Sequence, residues 1–323
     1  MNMKKIILLP RGKTLIYGLV IIYLSINLVN AKDYHLYYLG GQSNMEGLGY
    51  VKELPDSMYS GFSDVMIFHG NSSPDNSLPD GKGIWSALIP GHGDGFKSDG
   101  TKNTYTDRFG VELTFAKTLK MLTPEKSVAI IKYSRGGTSL CEEAAGGAGC
   151  WEPNYHGCEG INQYDHFLAT LRNAFAVKDI DSDGEDDVLI SAGIVWMQGE
   201  SDAAYTIEIA NQYEENLKQL MNLIRAALRV DDLPVAIGLI TDSGQYEDGK
   251  VWDYCDVVQR AQESYAAKDC CAALVSSTKK YSYSDPWHYD TEGFLDLGRE
   301  FALAIIELQA CGSVHYKNKN GLN

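Results

Sequence analysis

The chain has 323 residues, 44% of them hydrophobic, and a formal net charge of −15 at pH 7. Such an acidic balance argues against nucleic acid and anionic membrane surfaces as partners, because both repel it. The length beyond the N-terminal leader suits one large domain that buries its own core.

The first residues read as a leader. Lys4, Lys5, Arg11 and Lys13 form a positive start, Leu15 to Val29 is largely apolar, and Val29-Asn30-Ala31 is a small-x-small cleavage pattern. Ser25 and Asn27 interrupt the apolar run, which is shorter than the ~20 residues of a membrane-spanning helix. The expectation is a signal peptide over 1–31, cleaved after Ala31, with the mature protein secreted or periplasmic and not inserted in the membrane. Loss of the leader's four positive charges takes the net charge from −15 to −19. All seven cysteines lie in the mature part, where export permits disulfides. Cys141, Cys150 and Cys158 crowd one loop, which favours a local bridge, and the odd count leaves at least one thiol unpaired within the chain.

The mature chain alternates short apolar runs with longer amphipathic ones. Tyr34–Leu39 reads as a strand, Val111–Leu122 as a helix, Val128–Tyr133 as a strand and Gln163–Val177 as a helix. Val188–Trp196 is a near-continuous apolar run, as a strand covered on both faces requires. Ile207–Val230 has helical spacing at Leu217, Leu220, Met221 and Ile224. Pro234–Ile240 is a strand, Asp253–Lys268 a helix, Ala272–Val275 a short strand and Thr291–Leu308 a last helix, before a polar tail over 312–323. Gly47–Arg108 and Gly136–Gly160 lack clear periodicity and read as long functional loops. The alternation predicts an α/β fold, a parallel sheet of about five strands with helices on both faces, in one domain over 32–311.

In such sheets ligands bind at the carboxyl ends of the strands. Four strand ends carry suggestive residues: Gly40-Gly41-Gln42-Ser43-Asn44-Met45, Ser134-Arg135-Gly136-Gly137-Thr138, Met197-Gln198-Gly199-Glu200-Ser201-Asp202 and Asp285-Pro286-Trp287-His288. A serine hydroxyl becomes nucleophilic beside a base, and the base needs an orienting partner. Ser43 follows a strand and two glycines, so the chain can turn sharply and present the hydroxyl. Met45 stands where G-x-S-x-G has its last glycine, which disfavours an α/β-hydrolase. Asp285, three residues before His288, is spaced to fix the imidazole tautomer so that the other ring nitrogen faces the serine. The N–H groups of Ser43 and of Gly137 (or Gly136) and the side-chain amide of Gln198 are candidate oxyanion donors. Each also has a structural reading: a turn serine, an Asp-Pro turn, a loop glycine pair and a buried amide.

These four blocks, with Phe109-Gly110-Val111-Glu112-Leu113, resemble the ordered blocks of the sialic-acid-specific acetylesterase and acetylxylan esterase branch of the SGNH hydrolases, including carbohydrate esterase family six. Val111 stands where that branch commonly has proline. The resemblance spans Tyr34 to Ala304. It implies a flavodoxin-like three-layer sandwich and ester hydrolysis without a catalytic cofactor, with Ser43 as nucleophile, His288 as base and Asp285 or Glu200 as the acid. The local spacing favours Asp285, with Glu200 then holding the nucleophile loop or Gln198. It also implies an acetylated carbohydrate substrate, acetylxylan first and an O-acetyl sialic acid as the alternative. Trp287 and Arg135 are candidate substrate contacts. Trp85, Trp151, Tyr155 and Trp287 suit sugar stacking or an apolar acyl pocket, which keeps a lipid or aryl esterase open. A non-catalytic glycan-binding protein leaves the four strand ends unexplained.

One motif stands apart. Asp179, Asp181, Asp183 and Asp187 occupy positions one, three, five and nine of a loop with Gly184 at six, like the first part of a calcium-binding loop. Position twelve is Ile190, so the bidentate glutamate is missing. A structural calcium and a solvated acidic loop both fit. The oligomeric state is not encoded in any pattern here.

Overall fold

The computed structural model describes residues 31–74, 77–157 and 161–319, with the backbone alone over 312–319. The leader, apart from Ala31, and Cys158 lie outside these residues. The unit from Ala31 onward is built on a seven-stranded sheet. Its strands are β1 (Asp33–Gly41), β2 (Phe62–His69), β3 (Trp85–Leu88), β4 (Ser127–Ser134), β5 (Val188–Met197), β6 (Val235–Gly238) and β7 (Ala272–Val275). The spatial order is β7-β6-β5-β1-β4-β2-β3, and every neighbouring pair is parallel except β2 with β3. The helices are the one-turn α1 (Ser43–Glu46), α2 (Glu112–Leu122), α3 (Gln163–Ala176), α4 (Ile207–Ala227), α5 (Cys255–Lys268) and α6 (Thr291–Lys319).

The expected α/β architecture is present, with two strands more than the sequence suggested. Both extra strands, β2 and β3, come from the stretch read as a loop. The last five residues of β2 are all buried, while Ser63 and Asp64 are exposed; its apolar run, Val65–Phe68, is only four residues long and sits between Gly-, Ser-, Asp- and Pro-rich segments. The last helix also runs past Leu308.

Helices cover both faces of β1 because consecutive side chains of a strand point to opposite sides. The Tyr37 ring packs edge-on against Phe115 of α2 at 5.3 Å, and Tyr38 lies 4.7 Å from Phe167 of α3. α2 packs on α6, and α4 packs on α5. The buried stripe Ile209, Tyr213, Leu217, Leu220, Met221 and Ile224 gives α4 its helical spacing, and the Thr206 hydroxyl caps its start by accepting from the Ile209 N–H.

Register carries the fold into function. Gly41, the last residue of β1, sits opposite Ser134 of β4 on one side and Met197 of β5 on the other. The peptide blocks that follow these three residues therefore leave the sheet side by side. Gly41 has φ +146°, and a Cβ there would lie 1.9 Å from the Met197 carbonyl oxygen. Only glycine lets β1 end this close to β5.

Candidate active site

Ser43 opens α1 directly after Gln42, whose own N–H donates to the Met197 carbonyl (2.9 Å). The turn is pinned because Met45 and Glu46 both donate to the Gln42 carbonyl (2.8 and 2.9 Å). Gly136 lies against the serine: a Cβ at Gly136 would be 3.2 Å from Ser43 Cβ.

The residue after the serine joins this turn to the histidine loop. Asn44 is buried; its Nδ2 donates to Glu200 Oε1 (2.8 Å) and to the Trp287 carbonyl (3.2 Å), and its Oδ1 accepts from the Tyr289 N–H (3.3 Å). Asn44 thus grips both chain neighbours of His288. Sequence reasoning gave Asn44 no firm role, and nothing local to its position signals these partners.

Asp285 and His288 meet as their spacing predicts. His288 Nδ1 is 2.8 Å from Asp285 Oδ2, while Asp285 Oδ1 accepts from the backbone N–H groups of Trp287 (2.8 Å) and His288 (2.9 Å). Burial alone would raise the Asp285 pKa, but the bonds from His288 and Trp287 outweigh it and hold the carboxyl below its ordinary value. It stays ionised and keeps the Nδ1 proton in place. Among the described residues, the ring of His288 is hydrogen-bonded to Asp285 and not to Glu200. Glu200 is 2% exposed, and burial raises its pKa against the opposing bond from Asn44.

Ser43, His288, Gly136, Gly137, Ser201, Tyr205 and Trp287 line one cleft of about 460 Å³. Trp287 and Tyr205 stand at its rim, 42% and 52% exposed, and the Trp287 indole donates to the Tyr246 hydroxyl (3.1 Å). The glycine pair divides its roles. The Gly136 N–H is taken by Glu46 Oε2 (2.8 Å), whereas the N–H of Gly137, at φ +72°, has no acceptor among the described residues. Of the two, Gly137 is the available donor.

Several expectations need correction. Gln198 is fully buried and does not line the cleft; its Nε2 donates to Asp202 Oδ2 (2.6 Å) and to the Thr138 carbonyl (3.1 Å), so both hydrogens are used. It holds the rim together and is not aimed at an oxyanion. Asp202 also accepts from the N–H groups of Leu140 and Cys141, and burial still pushes its pKa up to about 6. Arg135 lines the adjoining pocket and not the cleft, while its backbone N–H donates to the Gly41 carbonyl (3.1 Å). Trp151 is core, packed edge-on between Tyr133 and Trp196; Tyr155 is buried; Trp85 packs on Phe68 and donates to the Ala174 carbonyl. Of the four aromatics, Trp287 alone reaches the cleft. Cys141 and Cys150 are free thiols.

Two groups escaped the sequence reading. Lys132 is fully buried, and its ammonium donates to Glu112 Oε2 (2.7 Å), the Glu46 carbonyl (2.9 Å) and the His92 carbonyl (2.8 Å). It anchors the end of α1, three residues after Ser43. A lysine inside the apolar run Val128–Tyr133 was the available signal. Glu46 lines the cleft itself, with a pKa raised to about 7, first by burial and then by the Asp94 carboxylate.

The acidic loop is only partly assembled as a metal site. Carboxylate oxygens of Asp179, Asp181 and Asp187 lie within 4.8 Å of one another. Asp183 does not join them; it pairs with the Lys32 ammonium (2.7 Å), which also pairs with Asp181. A calcium ion would compete there with a cation the chain already supplies. No helix among the described residues is long and apolar enough to cross a membrane.

Residues 33–307 match the family model described as carbohydrate esterase, sialic acid-specific acetylesterase. Among solved structures, the chain is similar to a protein of Arabidopsis thaliana (19% identity, TM-score 0.56), covering 86% of this chain and 99% of that one. A carbohydrate acetylesterase from Xanthomonas citri is 18% identical with TM-score 0.56, over 85% of this chain and 56% of that one. NanS is 14% identical with TM-score 0.56, over 87% and 99%. These likenesses carry the fold. No curated protein sequence matches significantly.

Proposed function

The chain belongs to the sialic acid-specific acetylesterase family of carbohydrate esterases and is a carboxylic ester hydrolase; we propose that it is exported and removes O-acetyl groups from a neutral glycan, acetylated xylan first, through an acetyl-enzyme. The observation that carries the mechanism is the bridge made by Asn44, which ties the Ser43 turn to both neighbours of His288. With Asp285 on Nδ1, the free Nε2 of His288 takes the Ser43 proton as Oγ attacks the acetyl carbonyl. The N–H groups of Gly137 and Ser43 donate to the oxyanion. Collapse expels the sugar alkoxide, to which His288 returns the proton. Water, deprotonated by His288, then attacks the acetyl carbon and releases acetate and Ser43. In this scheme Glu200 positions Asn44, and no step needs a metal or cofactor.

The cleft also supports the choice of a neutral sugar. Glu46 and Asp94 both line it, and their carboxylates disfavour an anionic sugar such as a sialic acid. Trp287 and Tyr205 offer aromatic faces for a pyranose ring. The family name keeps an O-acetyl sialic acid as the second reading. Export rests on the leader pattern alone.

Acetate release from acetylated xylan and from O-acetyl sialic acid, compared between the native protein and Ser43→Ala, tests the proposal. Release from xylan that the substitution abolishes is the expected result. Unchanged release by Ser43→Ala would sink the nucleophile assignment, and release from the sialic acid alone would overturn the neutral-glycan reading.

A further inference from the structure

Beside the catalytic cleft lies a second pocket of about 360 Å³ whose role the ester chemistry leaves open. His69 and Ser134, the last residues of β2 and β4, both line it, so it continues the rim of the sheet away from Ser43. Glu46 and Asp94 line both spaces and form the partition between them. Neither Ser43 nor His288 lines the second pocket, so no acyl transfer occurs in it; what it can do is bind.

We infer that this pocket is a sugar subsite, holding a neutral pyranose next to the acetylated residue of an oligosaccharide. The inference rests on the esterase reading above. Its volume falls within the ~300–1,000 Å³ of small-ligand sites. Acceptors and donors are mixed along its wall: Glu46 and Asp94 accept, Lys97 and Arg135 donate, and Asn71, whose Oδ1 accepts from the Ser98 N–H (3.2 Å), offers its NH2 group. Asp94 and a partly ionised Glu46 against Lys97 and Arg135 leave little net charge, which suits a polyhydroxylated neutral ring. Ser134 is 3% exposed, and its hydroxyl has no partner among the described residues. A buried hydroxyl without a partner is costly, and a ligand hydroxyl in the pocket removes that cost. Glu46 supports the same picture. With its pKa near 7, its acid form can donate and its ionised form accept, and either form can bond a sugar hydroxyl.

Binding a remote sugar residue raises kcat/KM for the longer substrate. The test compares kcat/KM on acetylated xylotriose, acetylated xylose and 4-nitrophenyl acetate, for the native protein and for Asn71→Trp, which fills the pocket from its outer loop. The native enzyme is expected to prefer the trisaccharide over acetylated xylose at least tenfold, and Asn71→Trp to abolish that preference. Ser72→Trp, from the same loop, replaces it should Asn71→Trp fail to fold by circular dichroism. Equal kcat/KM on the two sugars in the native enzyme overturns the subsite, and so does a preference that survives the tryptophan. An equal loss on all three substrates in a folded variant also overturns it, since it marks a structural effect. Hydrolysis of 4-nitrophenyl acetate with neither sugar attacked brings down the carbohydrate reading instead, and the subsite with it.

Discussion

Replacing Asp285 by asparagine separates the two candidate acids. The two oxygens of Asp285 do different work. Oδ1 accepts from the backbone N–H groups of Trp287 and His288, and Oδ2 faces His288 Nδ1. An asparagine keeps the two backbone bonds only by placing its oxygen at the Oδ1 position. Its NH2 then faces His288 Nδ1 and forces that nitrogen to accept. The ring proton moves to Nε2, the nitrogen that must take the serine proton, and the base is blocked. The same tautomer reversal in a serine triad costs about ten-thousand-fold in kcat, or about 5 kcal/mol of transition-state stabilisation. Folding should survive, because the backbone bonds persist. Glu200→Gln disturbs the holds on Asn44 and on the Gln42 amide and should cost about 10–100-fold, the scale of a supporting interaction. Initial rates on 4-nitrophenyl acetate, with circular dichroism as the folding control, give both numbers. A loss under tenfold in Asp285→Asn, or a larger loss in Glu200→Gln, would refute the assignment of Asp285 as the orienting acid.

Three more outcomes follow from the buried charges. Lys132→Met leaves the Glu112 carboxylate buried without its partner and should cost about 3–5 kcal/mol in urea unfolding, most of it recovered when Glu112→Gln is added; a cost below 1 kcal/mol would show the pair to be dispensable. Glu46 has a folded pKa of about 7 against an ordinary 4.5, so the native state keeps a proton that the unfolded state has lost, and stability falls as pH rises between those values. The fall attributable to Glu46 is at most about 3 kcal/mol, and Glu46→Gln should remove it; identical pH–stability curves for the two proteins would contradict the raised pKa. Because Lys32 already serves Asp181 and Asp183, chelation with EDTA should leave the melting temperature unchanged, whereas a fall of several degrees would restore calcium to the acidic loop.

What the sequence revealed, and what it hid, follows from the range of each interaction. Asp285 and His288 are three residues apart, so one turn of chain decides their contact and the spacing is readable. Gln198 and Asp202 are four apart in a tight turn, and that proximity was an equally local sign that the amide had a partner other than substrate. The rim was legible because three of its blocks directly follow β1, β4 and β5, and parallel strands put their carboxyl ends on one side; the Asp285–His288 block instead begins ten residues after β7 ends at Val275. β2 was overlooked because its own signal, the apolar run Val65–Phe68, is only four residues long, and its strand partners β3 and β4 come from segments about 20 and 60 residues later. Glu46 was hidden for a related reason. An acidic residue on one turn of helix reads as a solvated face until Asp94, 48 residues on, and the N–H of Gly136, 90 residues on, close around it. The polar groups that set the electrostatics of the cleft are thus paired at long range. Chemistry was legible where the fold needs only neighbours. Where the fold must first bring distant loops together, specificity becomes visible only in three dimensions, which is why the sequence pointed to an ester hydrolase more readily than to the sugar it accepts.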